Sequence, residues 1–129
     1  MIVEKYLKCW ENVNSNNVSK LFNCLHDKFY FLDPFVEIHN KKEFEGHLQH
    51  TLRKYKKLQF DILLSLRKKN TYIIKWKMTL ENKTFKPFCG ISEIVMENNL
   101  IKSHVDFWDP MRNIYQNIPV LGKFLKLLT

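Results

Sequence analysis

His104 and Asp106 stand two residues apart in the run Ser103-His104-Val105-Asp106-Phe107-Trp108. In an extended chain successive side chains alternate between faces, so His104, Asp106 and Trp108 project together while Val105 and Phe107 oppose them. An imidazole beside a carboxylate can handle protons, and beneath apolar walls the two must pair with each other or meet a ligand. Four readings fit: a self-satisfied structural pair, an exposed outer face, a pocket lining, or an acid–base couple. Asp33 is a second carboxylate of interest. It precedes Pro34, which is common turn chemistry. It can take a proton from a carbon beside a carbonyl only if it is partly desolvated and within hydrogen-bond reach.

Other chemistries are less well served. Glu43, His47 and His50 recur at i, i+4 and i+7, a spacing able to share a metal. No fourth ligand accompanies them, so the reading is a solvated helix flank and no metal is expected. Gly46, Gly90 and Gly122 are the only glycines and do not cluster into a phosphate loop, and no serine lies in a GxSxG turn. Cys9, Cys24 and Cys89 are odd in number, lack CxxC spacing and fall inside apolar patterns, which predicts buried free thiols.

The elements that must position these residues follow from periodicity. Ile2, Val3, Tyr6, Leu7, Trp10 and Val13 recur at helical spacing. A short second helix carries Val18, Leu21, Phe22 and Leu25 and stops near His26-Asp27. Lys28 to Leu32 reads as a strand closed by Asp33-Pro34. Asn40 and Glu43 resemble a capping box opening a third helix, with Phe44, Leu48, Leu52 and Tyr55 on its apolar face. From Leu58 the period becomes two: Leu58, Phe60, Ile62, Leu64 and Leu66 share one face. Polar turns at 68–70, 81–83 and 97–99 separate this strand from others expected over 72–80, 85–96 and 100–109. Helices followed by an antiparallel meander imply an α+β class, with helices on one face of a curved sheet.

This order, with YLKCW on the first helix, FYFLDPF at the first strand and HVDFWDP on the last, resembles the nuclear transport factor 2 superfamily, in particular its SnoaL-like and ketosteroid-isomerase branches. The resemblance implies a cone-shaped, strongly curved antiparallel sheet wrapped around N-terminal helices, enclosing an apolar pocket. It implies a single SnoaL-like domain over 1–129, with 111–129 a C-terminal helical extension, and a homodimer formed through the outer sheet. It implies further that the pocket takes a small hydrophobic molecule without a cofactor, that Asp33 in DPF is the general base, and that His104 or Asp106 is its acid or electrostatic partner. Tyr6, Trp10, Phe35, Trp76 and Trp108 are the ligand-binding residues on this view, although Tyr6 also suits a core role. One departure stands out: the isomerase acid that stabilises an oxyanion falls near Gly90, which has no side chain to donate. A non-catalytic ligand- or protein-binding module is the alternative reading.

Composition bounds the rest. Of 129 residues 45% are hydrophobic and 14% aromatic, which excludes a disordered chain and suits one domain with a real core. The net charge of +8 raises nucleic acid or an anionic membrane surface as a partner. The lysines and arginines are spread along both halves and collect at element ends, so nucleic acid is disfavoured and a membrane surface is a minor option. The stripe Val120, Leu121, Phe124, Leu125 and Leu128 suits a flap, a dimer contact or an interfacial helix. The start of the sequence lacks a signal-peptide pattern, and no apolar run nears the ~20 residues that span a bilayer. The cytoplasm is the expected compartment.

Overall fold

The computed structural model describes residues 1–55, 58–80 and 86–114, and Leu127. Its elements are α1 (Ile2–Glu11), α2 (Val18–Phe22), β1 (Leu25–Leu32), β2 (Glu37–Ile38), α3 (Lys41–Lys54), β3 (Leu58–Lys68), β4 (Thr71–Leu80), β5 (Phe88–Glu97), β6 (Leu100–Phe107) and α4 (Pro110–Asn113). The strands form one curved six-stranded sheet in the order β2-β1-β6-β5-β4-β3. Every pairing is antiparallel except β1 with β6, which is parallel. The α+β class and the curved sheet with N-terminal helices are as the sequence implied.

Local chemistry explains most boundaries. Asn40 caps α3, its Oδ1 accepting from the Glu43 N–H at 2.8 Å, which stabilises the helix by about 1 kcal/mol. Asn98 and Asn99 both take positive φ, 53° and 61°, the pattern of a two-residue hairpin turn that asparagine tolerates. Asp109 caps α4 by accepting from the Arg112 N–H at 3.1 Å, and for that reason β6 ends at Phe107 rather than at 109. Beneath the helices, Phe44 of α3 is buried between Phe29 and Phe31 of β1, both ring centroids 4.9 Å away. Each such side chain removed from water stabilises the fold by about 1.5–3 kcal/mol.

Three further expectations are corrected, and one element, β2, was not anticipated. β1 begins at Leu25, not Lys28, because Leu25 is buried and pairs with Ile101, while the polar residues His26 to Lys28 cross a register irregularity before pairing resumes at Tyr30. The two-residue β2, paired with Phe31 and Leu32, is too short to show a period. In β3 a bulge at Leu63 interrupts the register between Ile62 and Leu64, so Leu64 and Leu66 turn to the outer face instead of following Phe60 and Ile62 inward. Of the cysteines only Cys24 is buried; Cys89 is exposed because its neighbours Phe88 and Gly90 take the inward positions. The expected turn at 81–83 and the stripe from Val120 to Leu128, apart from an exposed Leu127, lie outside the described residues. Among the described residues no helix is long and apolar enough to cross a membrane.

Gly90 is needed by β4. It pairs with Trp76 across the sheet, and a Cβ there would overlap Cη2 and Cζ2 of the Trp76 ring. Gly90→Ala should therefore lower stability by about 1–3 kcal/mol through overpacking, and Trp76→Phe in the same chain should recover part of the loss. Denaturant unfolding of the two single variants and the double variant checks this, and additive losses would contradict the contact.

Candidate functional site

The inner face of β4, β5 and β6 carries a connected set of polar side chains. His104, 5% exposed, reaches Asp106 Oδ1 with Nε2 at 2.7 Å and the Tyr6 hydroxyl with Nδ1 at 2.7 Å. Ser92, on β5 opposite Asp106, bonds the same Oδ1, and the Trp76 indole N–H donates to Ser92 Oγ at 2.7 Å. One arrangement of hydrogens satisfies the set. Trp76 donates to Ser92, Ser92 donates to Asp106, His104 donates from Nε2 to Asp106, and Tyr6 donates to His104 Nδ1. Asp106 is thus held by two donors on Oδ1, while Oδ2 has no hydrogen-bond partner among the described residues.

Between the sheet and α3 lies a cavity of about 360 Å³. Asp106 lines it, and so does Asp33 from the β1–β2 turn. Trp10, Phe35, Trp76 and Trp108 are on its wall as well. Phe35 and Trp108 meet edge to face at 5.4 Å, and Trp108 packs on Phe88 at 4.9 Å. A smaller void of about 30 Å³ shares Trp10, Trp76 and Asp106 with the cavity and reaches Ser92 and His104. Asp106 and Trp76 are therefore the members of the polar set on the large cavity. His104 stands behind Asp106, and Tyr6, fully buried on α1, acts on the site through His104.

Asp33 does two things at once. Its Oδ1 accepts from the Phe35 and Val36 N–H groups, both at 2.8 Å, which is the turn chemistry of an Asp-Pro step. Its Oδ2 has no hydrogen-bond partner among the described residues. The position opposite Trp76 that resembled the isomerase acid is Gly90, and the Trp76 ring fills the space over it. No group of three or more metal-ligating side chains occurs among the described residues.

Two contributors to the site were missed, Ser92 on the smaller void and His47 on the cavity wall. Ser92 sits two residues past Gly90 and shares its inward face, a signal present in the strand alternation. His47 was grouped with Glu43 and His50, but those two are exposed whereas His47 is half-buried on the cavity wall with Phe44, Leu48 and Thr51. The spacing 44, 47, 48, 51 is itself a helical stripe, and it could have been read as such.

The family model for a SnoaL-like domain matches residues 3–104. The chain belongs to this SnoaL-like family. Structural likeness extends the point. A nuclear transport factor 2-like protein of unknown function from Cytophaga hutchinsonii has a TM-score of 0.70 at 14% identity, covering 86% of this chain and 89% of its own. An assigned polyketide cyclase from Sinorhizobium meliloti has 0.71 at 10%, covering 82% and 93%. An assigned SnoaL-like isomerase from Agrobacterium tumefaciens has 0.69 at 14%, covering 84% and 94%. No curated protein matches the chain. At these identities the likeness shows a shared fold.

In this SnoaL-like chain Tyr6 is a test of the polar set. Burial raises its hydroxyl well above the ordinary value near 10, the charge of Asp106 adds to the rise, and the neighbouring Trp10 indole opposes it. The Trp10 N–H nevertheless forms no hydrogen bond among the described residues. Because the folded chain holds the Tyr6 proton more tightly than the unfolded chain, its stabilisation is complete below pH 10 and drains away as pH rises beyond it. Tyr6→Phe should cost about 1–3 kcal/mol at neutral pH by leaving His104 Nδ1 without a donor. It should also flatten the fall in stability above pH 10, and an unchanged slope in urea titrations at high pH would refute this placement.

Proposed function

We propose that this domain binds a small hydrophobic carbonyl compound in its cavity and moves a proton on it, as a cofactor-independent isomerase or cyclase. The observation that carries the proposal is that two carboxylates, Asp33 and Asp106, line one aromatic-walled cavity, each with one oxygen free of hydrogen bonds among the described residues. Proton abstraction beside a carbonyl needs a base near the carbon and a second group to return or receive a proton. Asp33 is the base and Asp106, held in place by His104 and Ser92, is its partner. Trp10, Phe35, Trp76 and Trp108 supply apolar contact and exclude water, which strengthens every charge interaction within. The likeness to an assigned polyketide cyclase and an assigned isomerase supports this reading.

A second reading is favoured by the Trp76 ring over Gly90: with no acid at that position to steady an oxyanion, the cavity holds a ligand without turning it over. Exchange of the α-protons of 2-tetralone in D₂O, followed by NMR, separates the two. Catalysis predicts exchange above the buffer rate, reduced on the order of 10²–10⁴-fold in Asp33→Asn and in Asp106→Asn. The Asp33→Asn melting temperature should be nearly unchanged, since an asparagine Oδ1 still accepts the Phe35 and Val36 N–H groups. Saturable binding with no exchange above buffer would leave the binding module as the function.

The partner is a second copy of the chain. Leu64, Leu66, Ile73, Ile91 and Phe107 are exposed on the outer sheet face; Leu66 pairs with Ile73, and Ile91 with Phe107. Lys75 and Glu93 lie on the same face, so a two-fold axis lets opposite charges meet around an apolar centre. Sedimentation should report a dimer that Ile91→Lys with Phe107→Glu converts to monomer; a wild-type monomer at micromolar concentration would remove this proposal.

A further inference from the structure

His47 is a cavity group that neither the polar set nor the proton transfer uses. It projects from α3 on the stripe formed by Phe44, His47, Leu48 and Thr51, all of which line the cavity. Its backbone carbonyl accepts from Thr51 Oγ1 at 3.0 Å, but its imidazole has no hydrogen-bond partner among the described residues. What the imidazole touches is the Phe31 ring, centroid to centroid 6.5 Å. The same Phe31 ring lies 5.4 Å from His104, whose Nε2 holds Asp106. His47 and Asp106 therefore line one apolar cavity, with the Phe31 ring between His47 and the imidazole that holds Asp106.

A half-buried polar group that folding leaves unsatisfied is costly unless water or a ligand satisfies it. An apolar cavity with a small number of placed polar groups orients its ligand by them. We infer that His47 is a further polar contact of the ligand site, beside Asp33 and Asp106, and that the ligand is a compact, ring-containing molecule carrying oxygen functions at two ends. One end is a hydroxyl or acidic proton facing Asp106 Oδ2, and the other is an oxygen bonded to His47. This rests on the proposed cavity function and adds the ligand's polarity pattern to it. His47 touches the ligand in this account but takes no part in the proton transfer assigned to Asp33 and Asp106.

The probes are 2-naphthol and 2,6-dihydroxynaphthalene, compared by isothermal titration against the wild-type chain, His47→Leu and His47→Gln. In the wild type the diol should bind about tenfold more tightly than the mono-ol, the gain expected of one further hydrogen bond. His47→Leu should lose the diol's advantage over 2-naphthol; His47→Gln, which keeps a donor and an acceptor, should restore part of it. Binding of 2-naphthol by each of the three chains shows that it is folded around an intact cavity. A diol advantage that survives in His47→Leu, or is absent from the wild type while 2-naphthol still binds, overturns the role of His47 alone. Failure of both probes to bind the wild type overturns the cavity reading together with it.

Discussion

A carboxylate taken out of water must be given donors, and Asp106 receives them from two strands and, through His104, from a helix. His104 on β6 and Ser92 on β5 bond one oxygen, Tyr6 on α1 orients the imidazole, and Trp76 on β4 anchors the serine. Each link removes a choice from the next. Losing one partner leaves a buried polar atom unpaired at a cost of about 1–3 kcal/mol, so the set acts as a unit joining α1 to three neighbouring strands. The glycine at position 90 belongs to the same chain of causes, since its missing side chain lets the Trp76 ring lie flat enough to reach Ser92.

The curved sheet turns that local constraint into a site. Inward residues of β4, β5 and β6 wall a space that α3 covers from the other side, and the helix contributes Phe44, His47, Leu48 and Thr51 to the wall. The bulge at Leu63 divides β3 between two tasks. Before it, Phe60 and Ile62 face inward and pack against Trp10 and the core; after it, Leu64 and Leu66 face out with Ile73. One extra residue in an edge strand thus separates the cavity from the apolar outer face.

Much of this was legible in the residues. The alternation of His104, Asp106 and Trp108 gave a polar inner face, the Asn40 cap fixed the start of α3, and the period of two fixed four strands and the α+β class. The family resemblance is matched by the SnoaL-like model over residues 3–104. What escaped reading has physical reasons. A bulge leaves no mark in a row of leucines, because Leu63, Leu64 and Leu66 are equally apolar whichever way they point. A two-residue strand such as β2 is specified by its partner rather than by its own pattern. His47 was misplaced because a helix flank of Glu43, His47 and His50 looks solvated until the sheet curves over one of the three. The separate parts of His104, as the orienting group, and Asp106, as the group on the cavity, depend on depth along a strand, which sequence spacing does not encode.

Everything assigned to the site depends on Asp106 being held by an imidazole that donates from Nε2 and accepts from Tyr6 at Nδ1. Long-range ¹H–¹⁵N correlation NMR of the histidine side chains at neutral pH reads this directly. The account predicts that His104 gives the pattern of the Nε2–H tautomer, and that in Tyr6→Phe its Nδ1 resonance moves while Nε2 keeps its proton. A His104 ring protonated at Nδ1 alone, or at both nitrogens, would contradict the hydrogen-bond order on which the placement of Asp106 rests.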